Sequence, residues 1–295
     1  MKHTAPLHMN EETARRLNAF RENENSGNKG LMPEPTKPVP VVIPPLQPPA
    51  AESTEDFHLE VISRTDIGLV RKENQDTVIL SEPLFGIADG MGGHQGGETA
   101  SRECRDDLIS ILGGKAADPQ LLETAVKVTN RRINIHSEQD QTLSGMGTTL
   151  TAIWFSEKKA FIAQVGDSRC YLLRDGTMKQ VTQDHSMVME LVRAGVITEE
   201  EALVHPMRNV ITRAVGTDRA VEVDLFRMER QKGDIWLLCS DGLYGQVGKD
   251  RLEELLNREN LELSADIMIR ETMEAGAPDN VSLLIIRDMG GEAVE

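Results

Sequence analysis

The chain has 295 residues, a net charge of −16 and an aromatic share of only 3%, so it can hold one large or two small domains with a mostly aliphatic core. The acidic balance argues against a nucleic-acid partner, whose phosphates must be met by Lys and Arg, and against an anionic membrane surface. Three widely spaced cysteines, Cys104, Cys170 and Cys239, with no CxxC, read as free thiols of a reducing compartment. No signal-peptide pattern or membrane-length apolar run is present, so the expected location is cytoplasmic.

Residues 1–56 hold nine of the 13 prolines and one aromatic residue, Phe20. The stretch 32–49 (MPEPTKPVPVVIPPLQPP) has too many prolines for a helix or a central strand and reads as a polyproline-like linker. Residues 11–20 have the spacing of a short helix that is marginal alone. The expectation for 1–56 is a disordered, proline-rich extension, with docking of a partner as the sharper alternative. The folded domain is expected over 57–290. Strands are predicted at 58–64, 77–80 and 84–88, then helices at 99–112 and 119–137, the second with Pro119 in its first turn. Strands follow at 148–155, 160–165 and 170–173, and Asp175-Gly176 makes a hairpin turn into 177–182. Residues 186–215 read as a helical excursion, with a capping box from Thr198 to Glu201 and an end at His205-Pro206. Strands are predicted at 220–226 and 234–239, helices at 249–257 and 264–275, and a last strand at 281–287. This order points to an α+β domain of layered sheets and helices.

The stretch 85–97 organises the rest. An apolar run ends on Asp89, and five glycines follow in eight residues: Gly90, Gly92, Gly93, Gly96 and Gly97. A carboxylate at a strand end beside backbone left open by glycine suits a hard cation, which takes carboxylate and carbonyl oxygens; the plain alternative is a tight turn with a solvated Asp. The same pattern recurs at Asp167, Asp241 and Asp279, and Asp76 follows a polar loop. A single such Asp is most simply a turn residue. Several that converge would repel by roughly 4 kcal/mol per pair at 4 Å and an effective dielectric near 20, and would need cations, water or protons. Oxygen-only donors favour Mg²⁺ or Mn²⁺. Zinc spacings, P-loop, dinucleotide and GxSxG patterns are absent from the sequence.

Six segments, in order, resemble the type 2C metal-dependent Ser/Thr protein phosphatases (the PPM family), in its bacterial form. They are Arg71-Lys72-Glu73-Asn74-Gln75-Asp76, Ala88-Asp89-Gly90-Met91-Gly92-Gly93, Gly145-Met146-Gly147-Thr148-Thr149, Val165-Gly166-Asp167-Ser168-Arg169, Cys239-Ser240-Asp241-Gly242-Leu243 and Pro278-Asp279-Asn280-Val281. The resemblance implies an α+β fold: a β-sandwich of two antiparallel sheets flanked by helix pairs, four layers αββα, with a helical flap near 184–215. It implies two Mn²⁺ or Mg²⁺ ions and a weaker third. Asp89 would bridge the two ions, Gly90 would lend its carbonyl to one, and Asp241 and Asp279 would complete the other. Asp76 would act in or just outside the first ligand sphere, Asp167 would help hold the third ion, and Arg71 would grip the substrate phosphate. The implied reaction is attack of metal-activated water on phosphoserine or phosphothreonine, with phosphorylated proteins as partners, among them a Ser/Thr kinase and its substrates.

Two positions depart from the family pattern. Gln75 stands where Glu is common, and Met91 stands where eukaryotic relatives have a His that acts as an acid; His94 is a weak substitute. Asn209 falls where some bacterial relatives have a flap residue touching the third metal. The alternatives are a non-catalytic phosphoprotein-binding scaffold on the same fold, or a hydrolase of small phosphoesters.

Overall fold

The structure, a computed structural model, describes residues 57–92 and 96–291; the extension 1–56 and His94 lie outside them. Two antiparallel sheets form the centre. One has the order β1-β11-β10-β7-β8, from β1 (Phe57–Asp66), β11 (Val281–Gly291), β10 (Ile235–Cys239), β7 (Arg169–Arg174) and β8 (Thr177–Gln180). The other runs β2-β3-β5-β6-β9, from β2 (Asp76–Ser81), β3 (Leu84–Met91), β5 (Leu150–Phe155), β6 (Lys159–Val165) and β9 (Asp224–Glu229), with β4 (Gly147–Thr148) paired to the end of β3.

Three apolar clusters account for the layers. Phe85, Ile87, Ile153, Ile162, Trp236 and Ile286 join the inner faces of both sheets. Helices α1 (Gly96–Leu112) and α2 (Pro119–Gln139) cover the outer face of the second sheet through Cys104, Leu108, Val126 and Ile133. Beyond the other sheet lie α5 (Asp241–Tyr244), α6 (Lys249–Leu256) and α7 (Leu261–Glu274), packed through Leu252, Leu255 and Met268. Both faces of each sheet are therefore covered. That is why β5 and β10 read as unbroken apolar runs rather than alternating ones. All three cysteines are buried and free, and burial pushes their thiols up.

Residues 187–210 form a compact unit of their own. It holds α3 (Met187–Arg193) and α4 (Glu199–Leu203) around Val188, Leu191, Val196, Ile197 and Ala202. The capping box is present: Glu201 N–H donates to Thr198 Oγ1 at 3.2 Å and Thr198 N–H to Glu201 Oε2 at 2.9 Å. His205 N–H donates to Ala202 O just past the helix end.

Four expectations shift. The strand at 148–155 breaks at Thr149, whose N–H is drawn to Asp89 O at 2.8 Å. The strand expected at 220–226 lies at Asp224–Glu229, because its partner β6 pairs only there while Val221 and Val223 pack into the helix-side core. The helical reading of 186–215 holds only for α3 and α4; Ile211 bridges Ser186 and Val215 bridges Thr148. Helix α7 starts at Leu261 under an Asn260 cap, and Ser264 turns inward to Leu255 O. The Asp175-Gly176 turn is as expected, with both residues at positive φ, 51° and 76°. No helix among the described residues is long and apolar enough to cross a membrane.

Ile162 is fully buried between the sheets. Ile162→Ala should lower unfolding free energy by about 2–5 kcal/mol in a denaturant titration; a loss under 1 kcal/mol would contradict a close-packed sandwich.

Candidate active site

The site grows from one sheet register. Asp76 opens β2 and pairs directly with Asp89 near the end of β3, so the two side chains share a face of the sheet. Asp89 is fixed by its main chain: its N–H donates to Thr149 Oγ1 at 3.0 Å, and its carbonyl accepts from Thr148 Oγ1 at 2.9 Å. At Gly90 the chain is too crowded for any side chain, since a Cβ would stand 2.1 Å from Gly97 O.

The other sheet supplies Asp241 and Asp279. Asp241 opens α5 directly after β10, and Gly242 lies so close to Asn280 that a Cβ would meet Asn280 O at 1.9 Å. Asn280 ties the strand ends together. Its Oδ1 accepts from Gln75 N–H at 2.9 Å, and its Nδ2 donates to Ile67 O and Glu73 O, both at 2.9 Å. Ser240 Oγ donates to Asp76 Oδ2 at 2.8 Å, which joins β10 to β2.

Electrostatics show that these carboxylates feel one another. Burial, and then Asp76, Asp241, Asp167 and Asp279, push the Asp89 carboxyl well above the usual carboxylate range. Burial and then Asp167, Asp279 and Asp76 push Asp241 up to about 8. Asp76 rises to about 6, chiefly through burial. Arg71 Nη2 donates to Asp279 Oδ2 at 2.6 Å, and its charge also reaches Asp89 and Asp241. Asp76, Asp89, Asp241 and Asp279 are each only half-buried, so the cluster keeps a face open to solvent.

Asp167 sits in the turn from β6 to β7. It is buried, raised to about 6 by burial and then by Asp184, and within the electrostatic reach of Asp89 and Asp241. Tyr244 Oη donates to its carbonyl at 3.0 Å. His185 Nδ1 accepts from Gly166 N–H at 3.0 Å, while its Nε2 faces Asp224 at 3.2 Å. Met91 closes β3 opposite Gly147. His205 and Asn209 belong to the separate 187–210 unit. Asn280, Ser240, Thr148, Thr149 and His185 carry roles here that motif reading did not assign. Their signal was position: Asn280 and Ser240 stand next to a candidate Asp, Thr148 and Thr149 lie inside one of the quoted segments, and His185 alone had none.

The residues fit a hard cation. Asp76 Oδ1 and Asp241 Oδ1 are buried and have no hydrogen-bond partner, which is costly for an acceptor. The donors are all oxygens, and the clustered charges repel. As they stand, no three His, Cys, Asp or Glu among the described residues gather tightly enough to enclose an ion. Asp279 is held by Arg71 and by Asn280 N–H, and Asp76 by Ser240.

The chain resembles known proteins along most of the described region. Residues 71–281 match the family model Protein phosphatase 2C. The serine/threonine phosphatase stp of Listeria monocytogenes serotype 4b is 38% identical over 240 residues, covering 77% of this chain and 95% of that protein. The crystal structure of the Mycobacterium tuberculosis serine/threonine phosphatase PstP/Ppp aligns with a TM-score of 0.73 and 40% identity over 79% of this chain and 99% of that one. The catalytic domain of PstP in complex with two manganese ions aligns with a TM-score of 0.73 and 38% identity, over 79% and 99% of the two chains. Similarity of this extent, spanning both sheets and every candidate carboxylate, makes the chain a member of the protein phosphatase 2C family.

Proposed function

We propose that this chain is a Mn²⁺- or Mg²⁺-dependent protein phosphatase that hydrolyses phosphoserine and phosphothreonine on proteins. The observation that carries the reading is the cluster of Asp76, Asp89, Asp241 and Asp279 beside Arg71, with two buried carboxylate oxygens lacking partners. Its similarity to Ser/Thr phosphatases, one of them solved with two manganese ions, supports the same reading.

In this reading Asp89 would be shared between two ions, the Gly90 carbonyl would serve one, and Asp241 and Asp279 would serve the other. Asp76 would stand in or beside this set, and Asp167 would help hold a weaker third. Divalent cations held there would supply the positive charge that activates water and offsets charge on the phosphoryl oxygens. Arg71 grips the phosphate, with a planar fork that Lys does not offer. It is half exposed and now bound to Asp279, so phosphate competes with that carboxylate for the guanidinium. Asn280 and Ser240 keep the strand ends in register. Met91 has no proton to give the leaving oxygen, and the buried cysteines take no part.

A scaffold without activity would not need Asp89, Asp241 and Asp279 together. We place the catalytic domain at 57–290 and take 1–56 as an extension that targets or docks the enzyme. A Ser/Thr kinase and its substrates are the proposed protein partners, and the cytoplasm the proposed location.

Phosphate release from a phosphothreonine peptide should require Mn²⁺ or Mg²⁺, stop in chelator, and disappear in Asp241→Asn. Release that persists in chelator would contradict the reading. Arg71→Ala should raise KM about tenfold or more, the scale of one lost charge-assisted contact; an unaltered KM would remove Arg71 from the phosphate site. In chelator at a pH above about 8, where Asp241 is ionised, Asp241→Asn should raise the melting temperature by about 2 °C or more, the shift from about 1 kcal/mol in a domain of this size, because it removes one of several repelling charges. A fall in melting temperature would contradict that repulsion.

A further inference from the structure

Most exposed large apolar residues among those described stand singly along the chain: Leu80, Val204, Val210, Leu263 and Met289. Scattered exposure of this kind is ordinary. Ile67, Leu69 and Val70 differ. They fall within four consecutive positions, are 37%, 66% and 67% exposed, and run directly into Arg71.

The loop that carries them is fixed. Leu69 N–H donates to Ala277 O at 2.9 Å, Gly68 N–H to Asp66 Oδ1 at 2.9 Å, and Asn280 Nδ2 to Ile67 O at 2.9 Å. Gly68 has φ +76°, and a Cβ there would stand 2.2 Å from Asp279 O. The loop main chain thus lies against the turn that carries Asp279, and its apolar side chains are left in water. A loop tied in this way cannot fold them away, and their exposure is unfavourable until something covers them.

We propose that Ile67, Leu69 and Val70 form an apolar ridge that receives an apolar side chain flanking the phosphoresidue of a substrate protein. The proposal deepens the phosphatase reading and rests on it. Continuity with the phosphate site carries it. The Val70 and Arg71 Cα atoms are neighbours, about 3.8 Å apart, and an extended peptide advances about 3.3 Å per residue. With the phosphate on the Arg71 guanidinium, a side-chain length from that Cα, a side chain up to about three positions away spans the distance back to the ridge. Charge points the same way: a chain of net charge −16, with carboxylates clustered beside Arg71, repels an acidic flank and leaves an apolar one unaffected.

The test uses the full chain with Mn²⁺ and two phosphothreonine peptides, identical except for Leu or Ser at the three positions on each side of the phosphoresidue. The wild type should favour the Leu peptide by about tenfold in kcat/KM, within the range that apolar side-chain contacts supply. In Leu69→Ser/Val70→Ser the ratio of the two values should fall close to one, and in Leu69→Met/Val70→Ile it should be kept. Equal rates in the wild type, or a preference retained in the serine variant, would overturn the ridge and leave the phosphatase reading standing. No hydrolysis of either peptide by the folded wild type would overturn that reading itself. A serine variant with altered sedimentation would give the ridge to a second copy of the chain. One that cleaves both peptides faster would give it to the chain's own 39–46 segment. Either result overturns the proposal.

Discussion

Asp76 and Asp89 face each other across two neighbouring strands, and nothing in the register lets them part. Like charges placed directly opposite in a sheet are destabilising, and here Asp241 and Asp279 add to the same field. The rest of the molecule can be understood as the frame that holds this unfavourable arrangement in place. The dry layer between the sheets, with Trp236, Phe155 and Ile162 fully or almost fully buried, fixes where the strands end. Ser240, Asn280 and Arg71 then donate to the carboxylates or to the loops beside them. Stability is spent at the open end of the sandwich and recovered in its centre.

The same frame explains which small and polar residues are needed. Gly90 and Gly242 sit where main chains meet too closely for a Cβ. Thr148 and Thr149 hold the Asp89 peptide from both sides while interrupting their own strand. Asn280 touches Gln75, Ile67 and Glu73 with a single side chain, so the loop bearing Arg71 and the start of β2 are positioned by the turn that supplies Asp279. The proposed phosphate grip and the proposed cation ligands are in this way tied into one assembly.

Much of this was legible in the sequence. Unbroken apolar runs such as 150–155 and 235–239 marked strands covered on both faces, and the Asp-Gly turn and the Thr198 capping box carried local chemistry that tertiary context did not alter. The candidate carboxylates were visible because each follows or precedes an apolar run, and the family resemblance set their order. Other features depend on partners distant in sequence. The β9 register is set by β6, not by the alternation at 220–226. Helix α5 has four residues, too few for a periodic signal. His185 reaches Gly166 only after the chain has passed through β7 and β8, and no spacing rule announces that. The exposure of Leu69 and Val70 was equally hidden, since an apolar triplet in sequence is more often core.

We infer that the repelling carboxylates form a two-cation site in which Asp89 would be shared by both ions. Electron paramagnetic resonance of the protein titrated with Mn²⁺ tests it most directly. The account predicts two ions per chain that bind close enough to couple magnetically, with the coupled signal lost in Asp89→Asn while the melting curve shows a folded protein. A signal of isolated, weakly held ions, unchanged by Asp89→Asn, would contradict it.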